Sequence, residues 1–313
     1  MTAIAGANAP ETRPAARIAS DAEVLDRVHR TLGPVDVVVE HWGRHKTSRV
    51  LHVVTRGGEQ AVVKWHRDDG PYRSESESLQ QYAVALHGDA PRIVTLDDGL
   101  RLLVLSRLLG EPAAGTPHET DPDIHYRLGE LVRKLHDAEP PRRHDRFGRL
   151  IAAEFERWSL EAERVFGVGD DPADERAWRL ADERHLARQH VATALDLGVF
   201  DHVPAHRALR PEHWIIDPGG HVRLIDFSQA EHEPRIVDLL WLEYGPWRDA
   251  PWLRAAFLHG YGRTPTDRDQ SALNAVAATR GLELLVRGTR TRNAAEKRLG
   301  RAMLDRLLGA TLF

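Results

Sequence analysis

The residues best suited to chemistry in this sequence flank one predicted β-hairpin. Two apolar, strand-like runs at residues 214–216 and 222–225 enclose a turn sequence at residues 217–220 that contains Asp, Pro and two Gly. Asp226 ends the second strand, and four basic residues precede the first. These basic residues are His206, Arg207, Arg210 and His213. Folding of the hairpin brings all of these groups to one rim, where we expect the chemistry to take place.

Asp226 is the most informative of these residues because of the strand face on which it falls. Side chains alternate between the two faces of a strand, so Asp226 shares a face with Val222 and Leu224. A carboxylate that lies among buried apolar residues is poorly solvated unless a cation compensates its charge. We therefore expect a cation beside Asp226.

Two further charged positions stand out toward the amino terminus. Lys64 lies on a largely apolar predicted strand at residues 60–65. The helix that follows carries an apolar stripe at Tyr72, Leu79, Tyr82 and Leu86. Glu75 falls on this stripe, whereas Glu77 falls to its side, so Glu75 is predicted to face inward and to require a cation. The alternatives are that Glu77 has this role, or that Lys64 and both glutamates are surface charges.

Composition limits the class of protein. A length of 313 residues indicates about two domains or one two-lobed unit. A net charge of −4 and a pI near 6.5 argue against a nucleic-acid-binding protein. The sequence contains no cysteine, so there is no disulfide framework. It contains no run of 18 apolar residues, so no transmembrane helix is predicted. Residues 1–19 resemble a disordered leader and not a signal peptide, so we expect a cytoplasmic protein. We also expect it to be a monomer or a homodimer.

Besides the helix that carries Glu75, the amino-terminal part is predicted to contain one further helix and a set of strands. The helix begins at a capping box, Ser20 to Glu23, and ends near residues 33–34. Strand signals follow at residues 35–40, 49–55, 60–65, 92–95 and 100–105, with a polar loop at residues 41–48. From residue 111 onward, strand signals are absent except at the central hairpin. Helices are predicted around residues 124–136, 151–166, 174–197 and 267–313.

The central stretch resembles the catalytic core of the aminoglycoside phosphotransferase family, which has a protein-kinase-like fold. The family pattern is H-x-D-(L/Y)-x-P-x-N, then a strand, a turn and I-D-F-G. The matching residues are His206, Leu209, Pro211, Ile225, Asp226 and Phe227. Three positions depart from the pattern: Ala208 stands in place of the catalytic Asp, His213 in place of Asn, and Ser228 in place of Gly.

The resemblance implies a bilobal α+β fold with an antiparallel sheet in the amino-terminal lobe, residues 20–108, and a mainly helical carboxy-terminal lobe, residues 109–313. It implies ATP, or another nucleoside triphosphate, and Mg²⁺ as cofactors. The implied nucleotide-binding residues are Thr47, Ser48, Lys64, Glu75, Ser106 and Leu108. The implied catalytic positions are His206, Ala208 and Asp226, and the implied metal ligands are Asp226 and His213. Asp238 would brace the catalytic loop, although a surface helix cap is an alternative, and His136 would be structural.

The predicted function is therefore ATP-dependent phosphorylation of a hydroxyl group on a small molecule. The sequence most resembles kinases that modify antibiotics. Because a general base contributes on the order of 10²–10⁴ in rate, Ala208 predicts a severely impaired enzyme. Either an active kinase has been disabled on purpose, or the chain is a natural nucleotide-binding pseudokinase. Retention of Lys64, Glu75, Asp226 and Asp238 favours the first explanation.

The acceptor is the least determined feature of the sequence. A small metabolite is the alternative to an antibiotic. A metal hydrolase is an alternative of a different class, because five histidines crowd the same region. These are His202, His206, His213, His221 and His232. Four acidic residues are candidates for binding a cationic drug, and the alternative for each is a solvated surface charge. These are Glu243, Asp249, Asp267 and Glu283. The aromatic residues Trp241, Trp247 and Trp252 are predicted to lie in the core, with stacking on a substrate as the alternative.

Overall fold

The computed structural model describes residues 19–42, 48–167 and 175–311. The predicted leader and Thr47 lie outside these residues. The first helices and strands are α1 (Asp21–Leu32), β1 (Val35–Trp42), β2 (Ser48–Thr55), β3 (Gln60–His66), α2 (Asp69–Tyr82), β4 (Ile93–Asp97) and β5 (Leu102–Ser106). Their bounds agree with the predicted elements to within a few residues. Contacts divide the chain into one unit of Met1–Ser76 with Arg92–Arg107 and another of Glu77–Pro91 with Leu108–Phe313.

The remaining elements belong to the carboxy-terminal unit. They are β6 (Glu111–Pro112), α3 (Pro122–His136), β7 (Arg142–His144), α4 (Phe147–Phe166), α5 (Glu175–Asp196), β8 (Phe200–Ala205), β9 (Trp214–Ile216), β10 (Val222–Leu224), β11 (Glu231–Pro234), α6 (Leu240–Glu243), α7 (Pro251–Tyr261), α8 (Asp267–Arg290) and α9 (Ala294–Thr311). No helix in the described part of the chain is long and apolar enough to cross a membrane.

The amino-terminal unit contains a five-stranded antiparallel sheet in the order β1-β2-β3-β5-β4. Helix α1 begins at the predicted capping box, in which Ser20 and Glu23 each satisfy a backbone amide of the other. Its apolar stripe, represented by Val24 and Val28, is fully buried against residues of β2, β3 and β5. Strand β3, which carries Lys64, lies in the middle of the sheet because it pairs with β2 on one side and β5 on the other.

The carboxy-terminal unit is mainly helical, and it also contains two small sheets. The hairpin β9–β10 is present as predicted, and β6 adds to it to give the order β10-β9-β6. A second sheet has the order β11-β8-β7. The prediction that no strands occur outside the hairpin was therefore wrong. These strands are only two to six residues long, and several are polar, so backbone pairing and not side-chain alternation defines them.

Helices α3 and α7 approach each other closely at two glycines. A Cβ at Gly129 would collide with the backbone around Phe257, and one at Gly260 would collide with the carbonyl of Tyr126. Each glycine thus permits the opposing backbone to come into contact. This packing matters for the site because it brings His136 on α3 into contact with Tyr261 on α7. His136 in turn contacts the site described below. The fold is α+β, as predicted, with an antiparallel sheet in the amino-terminal unit and a mainly helical carboxy-terminal unit.

Candidate active site

The first charged cluster lies on the sheet of the amino-terminal unit. Lys64, on β3, is 6% exposed, and Glu75, on α2, is 1% exposed. Lys64 Nζ lies 2.7 Å from a carboxylate oxygen of Glu75. Alternation along β3 and the helical repeat of α2 direct the two side chains toward each other, whereas Glu77 is exposed. Each charge compensates the other, and a buried ion is otherwise costly.

The same carboxylate has a second neighbour that the sequence interpretation missed. His66 Nε2 lies 2.9 Å from the Glu75 oxygen that Lys64 contacts, and the His66 ring is 1% exposed. The signal was present in the sequence, because His66 stands two residues after Lys64 and so shares its strand face. Glu75 is thus held between two basic side chains, which fixes its position and that of Lys64.

In the carboxy-terminal unit, Asp238 organises the loop that follows β8. Its carboxylate is fully buried and accepts hydrogen bonds from the backbone amides of His206 (2.9 Å) and Arg207, and from His136 Nε2 (2.9 Å). Burial alone would raise the pKa of Asp238, but the hydrogen bond from His136 and the nearby imidazoles hold this pKa below its ordinary value. The alternative of a surface helix cap is therefore wrong, and Asp238 braces the loop.

His206 joins this loop to the end of the hairpin. Its ring is fully buried, Nε2 donates to the carbonyl of Ile225 (2.9 Å), and the ring packs on Phe227 with centroids 4.7 Å apart. Burial lowers the pKa of His206, so the neutral imidazole is favoured. These contacts are those of a residue that positions the loop, and a direct part for His206 in catalysis stays a prediction.

Ala208 lies in a loop whose backbone is held by several hydrogen bonds. Arg207 adopts a left-handed backbone conformation with φ 61°, and its carbonyl accepts a hydrogen bond from Trp241 Nε1 (2.9 Å). The carbonyl of Ala208 accepts hydrogen bonds from the Arg210 amide (2.7 Å) and from His213 Nδ1 (2.8 Å). The Ala208 methyl group can neither accept a proton nor orient a hydroxyl group. The loop therefore retains its shape without a general base at this position.

The environment of Asp226 differs from the predicted one. Strand β10 ends at Leu224, and Asp226 adopts a left-handed conformation with φ 64°, so the alternation of the strand does not reach it. Its side chain is 33% exposed, and Oδ1 accepts a hydrogen bond from Ser228 Oγ (2.6 Å). The expectation that it lies among buried apolar residues was wrong. A basic group is nevertheless beside it: His213 Nε2 lies 3.5 Å from Asp226 Oδ2.

A cavity of about 470 Å³ adjoins this loop within the carboxy-terminal unit. Its apolar residues are Phe147, Leu150, Ile151, Ala153, Val237, Leu240, Trp241 and Val276, and its charged residues are Glu154, Arg157, Arg207, Glu231, Glu233 and Arg280. Arg207 lies 2.5 Å from Glu231 and 3.9 Å from Glu233. Burial raises the pKa of Glu233 to about 7. The lining is amphipathic, and its acidic and basic residues are equal in number.

Comparison with known proteins settles the family. The sequence profile described as the phosphotransferase enzyme family, APH, matches residues 43–273. The chain belongs to this family. No curated protein sequence matches this phosphotransferase significantly.

Several solved structures have a fold similar to that of this phosphotransferase. Aminoglycoside phosphotransferase APH(4)-Ia has a TM-score of 0.67 at 16% identity, with 92% of this chain and 98% of that chain covered. Macrolide 2'-phosphotransferase MphH from Brachybacterium faecium has a TM-score of 0.58 at 18% identity, covering 91% and 98%. An aminoglycoside phosphotransferase from Alicyclobacillus acidocaldarius has a TM-score of 0.56 at 15% identity, covering 96% and 98%. At these identities the likeness concerns the fold.

The other predicted nucleotide contacts of the phosphotransferase lie at the ends of strands. Ser48 begins β2 opposite His66, and Ser106 ends β5, where its hydroxyl accepts a hydrogen bond from the Arg92 amide (2.9 Å). Leu108 follows and is partly buried. The structure thus shows where these residues lie, and their contacts with a nucleotide stay predictions.

Two of the acidic residues considered for a cationic drug are not surface charges. Glu243 is 6% exposed and lies 2.6 Å from Arg254 and 3.4 Å from Arg306. Glu283 is 5% exposed and pairs with Arg280 and Arg287. In contrast, Asp249 and Asp267 are exposed. Of the three tryptophans, Trp241 (8%) and Trp247 (3%) are buried, whereas Trp252 is 58% exposed.

Three of the crowded histidines of the phosphotransferase contact different partners. His202 Nδ1 contacts the carbonyl of His232, His232 contacts Glu139, and His221 contacts Asp89. Within residues 19–42, 48–167 and 175–311, no group of three or more His, Asp or Glu side chains could hold a metal ion. The described residues therefore do not support the hydrolase alternative.

Proposed function

We propose that this phosphotransferase binds ATP or another nucleoside triphosphate together with a divalent cation, and that its acceptor is a hydroxyl group of a small-molecule antibiotic. The observation that carries the proposal is the buried pair of Lys64 and Glu75, 2.7 Å apart on the sheet of the amino-terminal unit. A lysine that is desolvated and oriented in this way presents a fixed positive charge, which suits nucleotide phosphates. Similar structures contain nucleotides, among them the GDP and kanamycin complex of APH(2")-IIia and the AMP-PNP and hygromycin B complex of APH(4)-Ia.

The carboxy-terminal unit supports the proposal through Asp226 and His213. The Asp226 side chain is 33% exposed, and its carboxylate is oriented by Ser228. Carboxylate oxygens are ligands that divalent cations prefer, which supports a role for Asp226 in binding the cation that accompanies the phosphates. His213 Nε2 faces the same carboxylate and supplies a second donor. A divalent cation at this position neutralises charge on the phosphate oxygens. Mg²⁺ is the ion that the family resemblance predicts.

The cavity beside Arg207 is the candidate acceptor site. It adjoins the loop that carries Ala208, and its apolar wall could bury the face of an amphipathic molecule. Arg207 partners the two glutamates on β11, so this wall presents little net negative charge. The lining therefore supports an amphipathic hydroxylated antibiotic better than a polycationic one.

Ala208 determines how fast this chain transfers phosphate. Without a base that orients the acceptor hydroxyl, the transfer rate should be about 10²–10⁴ lower than in an enzyme that has one. The braced loop around Ala208 is consistent with an active kinase whose base has been removed. His213 favours the second candidate, a natural pseudokinase, because it departs from the family pattern too and contacts both Ala208 and Asp226.

Labelled phosphate transfer tests the proposal. ATP is incubated with a panel of hydroxylated antibiotics and with the chain, its Ala208→Asp variant or its Ala208→Asn variant. Asparagine matches aspartate in size but cannot act as a base, so it controls for filling of the position. We expect transfer to rise by at least about 100-fold only in Ala208→Asp. Nucleotide binding that is unchanged in Lys64→Ala and Asp226→Ala would contradict the proposed site.

A further inference from the structure

The pair formed by His213 and Asp226 has the geometry of two ligands that share one metal ion. His213 Nε2 and Asp226 Oδ2 are 3.5 Å apart. This separation exceeds the usual 2.7–3.2 Å of a hydrogen bond with a nitrogen donor. We propose that this pair binds a divalent transition-metal ion in preference to Mg²⁺. The inference deepens the proposed function, on which it rests, by naming the class of cation at the nucleotide site.

The hydrogen bond on the other side of the imidazole determines what Nε2 offers. His213 Nδ1 lies 2.8 Å from the carbonyl oxygen of Ala208, and a carbonyl oxygen can only accept. The proton of the neutral ring is therefore on Nδ1, and Nε2 directs its lone pair toward Asp226. Histidine ligands of metals commonly donate their other ring N–H to a carbonyl or carboxylate, which fixes the tautomer and the ring orientation. His213 has this arrangement.

The distance is also close to the spacing of two ligands on one ion. Zinc-like ions bind imidazole nitrogen and carboxylate oxygen at about 2.0–2.2 Å, which places two tetrahedral ligands about 3.4 Å apart. Adjacent ligands of Mg²⁺, which is octahedral with bonds of about 2.0–2.1 Å, are about 2.9 Å apart. The observed 3.5 Å agrees with the first value. Asp226 is oriented for this role by the hydrogen bond from Ser228 Oγ, at 2.6 Å.

The chemistry of the donors points the same way. Mg²⁺ prefers oxygen ligands, whereas imidazole nitrogen suits the ions of zinc, cobalt, nickel and copper. In the described part of the chain, no third His, Asp or Glu joins the pair. Phosphate oxygens and water are the further ligands expected for an ion that accompanies a nucleotide. The substitution of His at this position changes the preferred ion without removing the site.

Cobalt is the most informative probe, because four-coordinate Co²⁺ absorbs visible light much more strongly than six-coordinate Co²⁺. The full chain is titrated with Co²⁺ and with Mg²⁺, with and without a non-hydrolysable ATP analogue, by calorimetry and by visible absorption. We expect Co²⁺ to bind at least about tenfold more tightly than Mg²⁺, with the strong absorption of four-coordinate cobalt. His213→Asn should reduce this preference to within about threefold.

Two further variants complete the experiment. His259→Asn removes an exposed histidine on α7 and should leave the preference unchanged, which corrects for binding of Co²⁺ to surface histidines. Asp226→Asn keeps the size of the side chain and should weaken both ions; it tests the pair if His213→Asn fails to fold. Equal affinity for Co²⁺ and Mg²⁺, a preference that survives in His213→Asn, or affinities for both ions that are unchanged in Asp226→Asn would overturn the inference.

The proposed function can fail separately from this inference. If the ATP analogue binds neither with metal nor without it, the nucleotide site is wrong. The Co²⁺ titration of the chain alone still decides whether His213 and Asp226 hold the ion. Conversely, tight nucleotide binding with Mg²⁺ and with no contribution from His213 would support the proposed function and overturn the metal preference.

Discussion

Replacement of Asp238 by alanine should destabilise the carboxy-terminal unit strongly. The carboxylate is fully buried and accepts hydrogen bonds from the amides of His206 and Arg207 and from His136. Alanine leaves two backbone donors without an acceptor, and each buried donor without a partner costs about 1–3 kcal/mol. The sum, about 4 kcal/mol, agrees with the 3–5 kcal/mol typical of breaking a buried charge pair.

Urea unfolding followed by tryptophan fluorescence measures this loss, and hydrogen exchange measures it locally. Exchange at the His206 and Arg207 amides should accelerate by about a thousandfold, since 1.4 kcal/mol corresponds to a factor of ten. Asp238→Asn keeps one acceptor oxygen and should lose about half as much. Asp249→Ala, on the surface, should change stability by less than about 0.5 kcal/mol.

The pH dependence of the same variant provides an independent check. The pKa of Asp238 is below its ordinary value of 3.8 in the folded protein. Its stabilising contribution is therefore present above that value and is lost as the pH falls through the folded pKa. The difference in stability between the chain and Asp238→Ala should shrink in acid. A loss below about 1 kcal/mol at neutral pH, or a loss that is constant down to pH 2, would refute the bracing role.

Three further predictions concern other parts of the fold. Glu75→Gln leaves Lys64 buried without a counter-charge and should destabilise the amino-terminal unit by about 3 kcal/mol, measured by chemical unfolding. Glu233 has a pKa raised to about 7 in the folded protein, against an ordinary value of 4.5. Between pH 4.5 and 7 the folded state holds a proton that the unfolded state has lost, so stability falls as the pH rises through that range. Glu233→Gln should abolish this slope and be about 3 kcal/mol more stable above pH 7, by urea unfolding at several pH values. Gly260→Ala should cost about 2 kcal/mol in thermal unfolding, whereas Gly70→Ala, with open space around it, should cost nothing.

Each of these predictions has a result that would contradict it. A Glu75→Gln variant as stable as the chain would mean that Lys64 does not depend on its partner. A slope with pH that persists in Glu233→Gln would assign the titration to another group. Equal losses in the two glycine variants would mean that α3 and α7 can separate at little cost.

The sequence was sufficient to predict the amino-terminal charge cluster. Lys64 and Glu75 lie on regular elements, and their directions follow from the strand and helix repeats alone. His66 could have been included by the same rule. Regular periodicity converts position in the chain into direction in space, so these contacts were predictable.

The carboxy-terminal site was less predictable because its geometry depends on irregular backbone and distant partners. Asp226 leaves the strand through a left-handed turn that no glycine marks. Glu243 is neutralised in part by Arg306, 63 residues later in the chain. Short polar strands such as β7 and β11 exist through backbone pairing, to which side-chain patterns are insensitive.

The way in which Asp238 holds the loop also bears on how such a protein could change over evolutionary time. The loop is braced through the backbone of the residues before Ala208, so its shape does not depend on the side chain at that position. Two of the four alanine codons differ from an aspartate codon by a single base, so loss or recovery of the general base can require as little as one mutation and no structural rearrangement. A lineage with this loop could lose phosphate transfer while it keeps the fold, and later regain it.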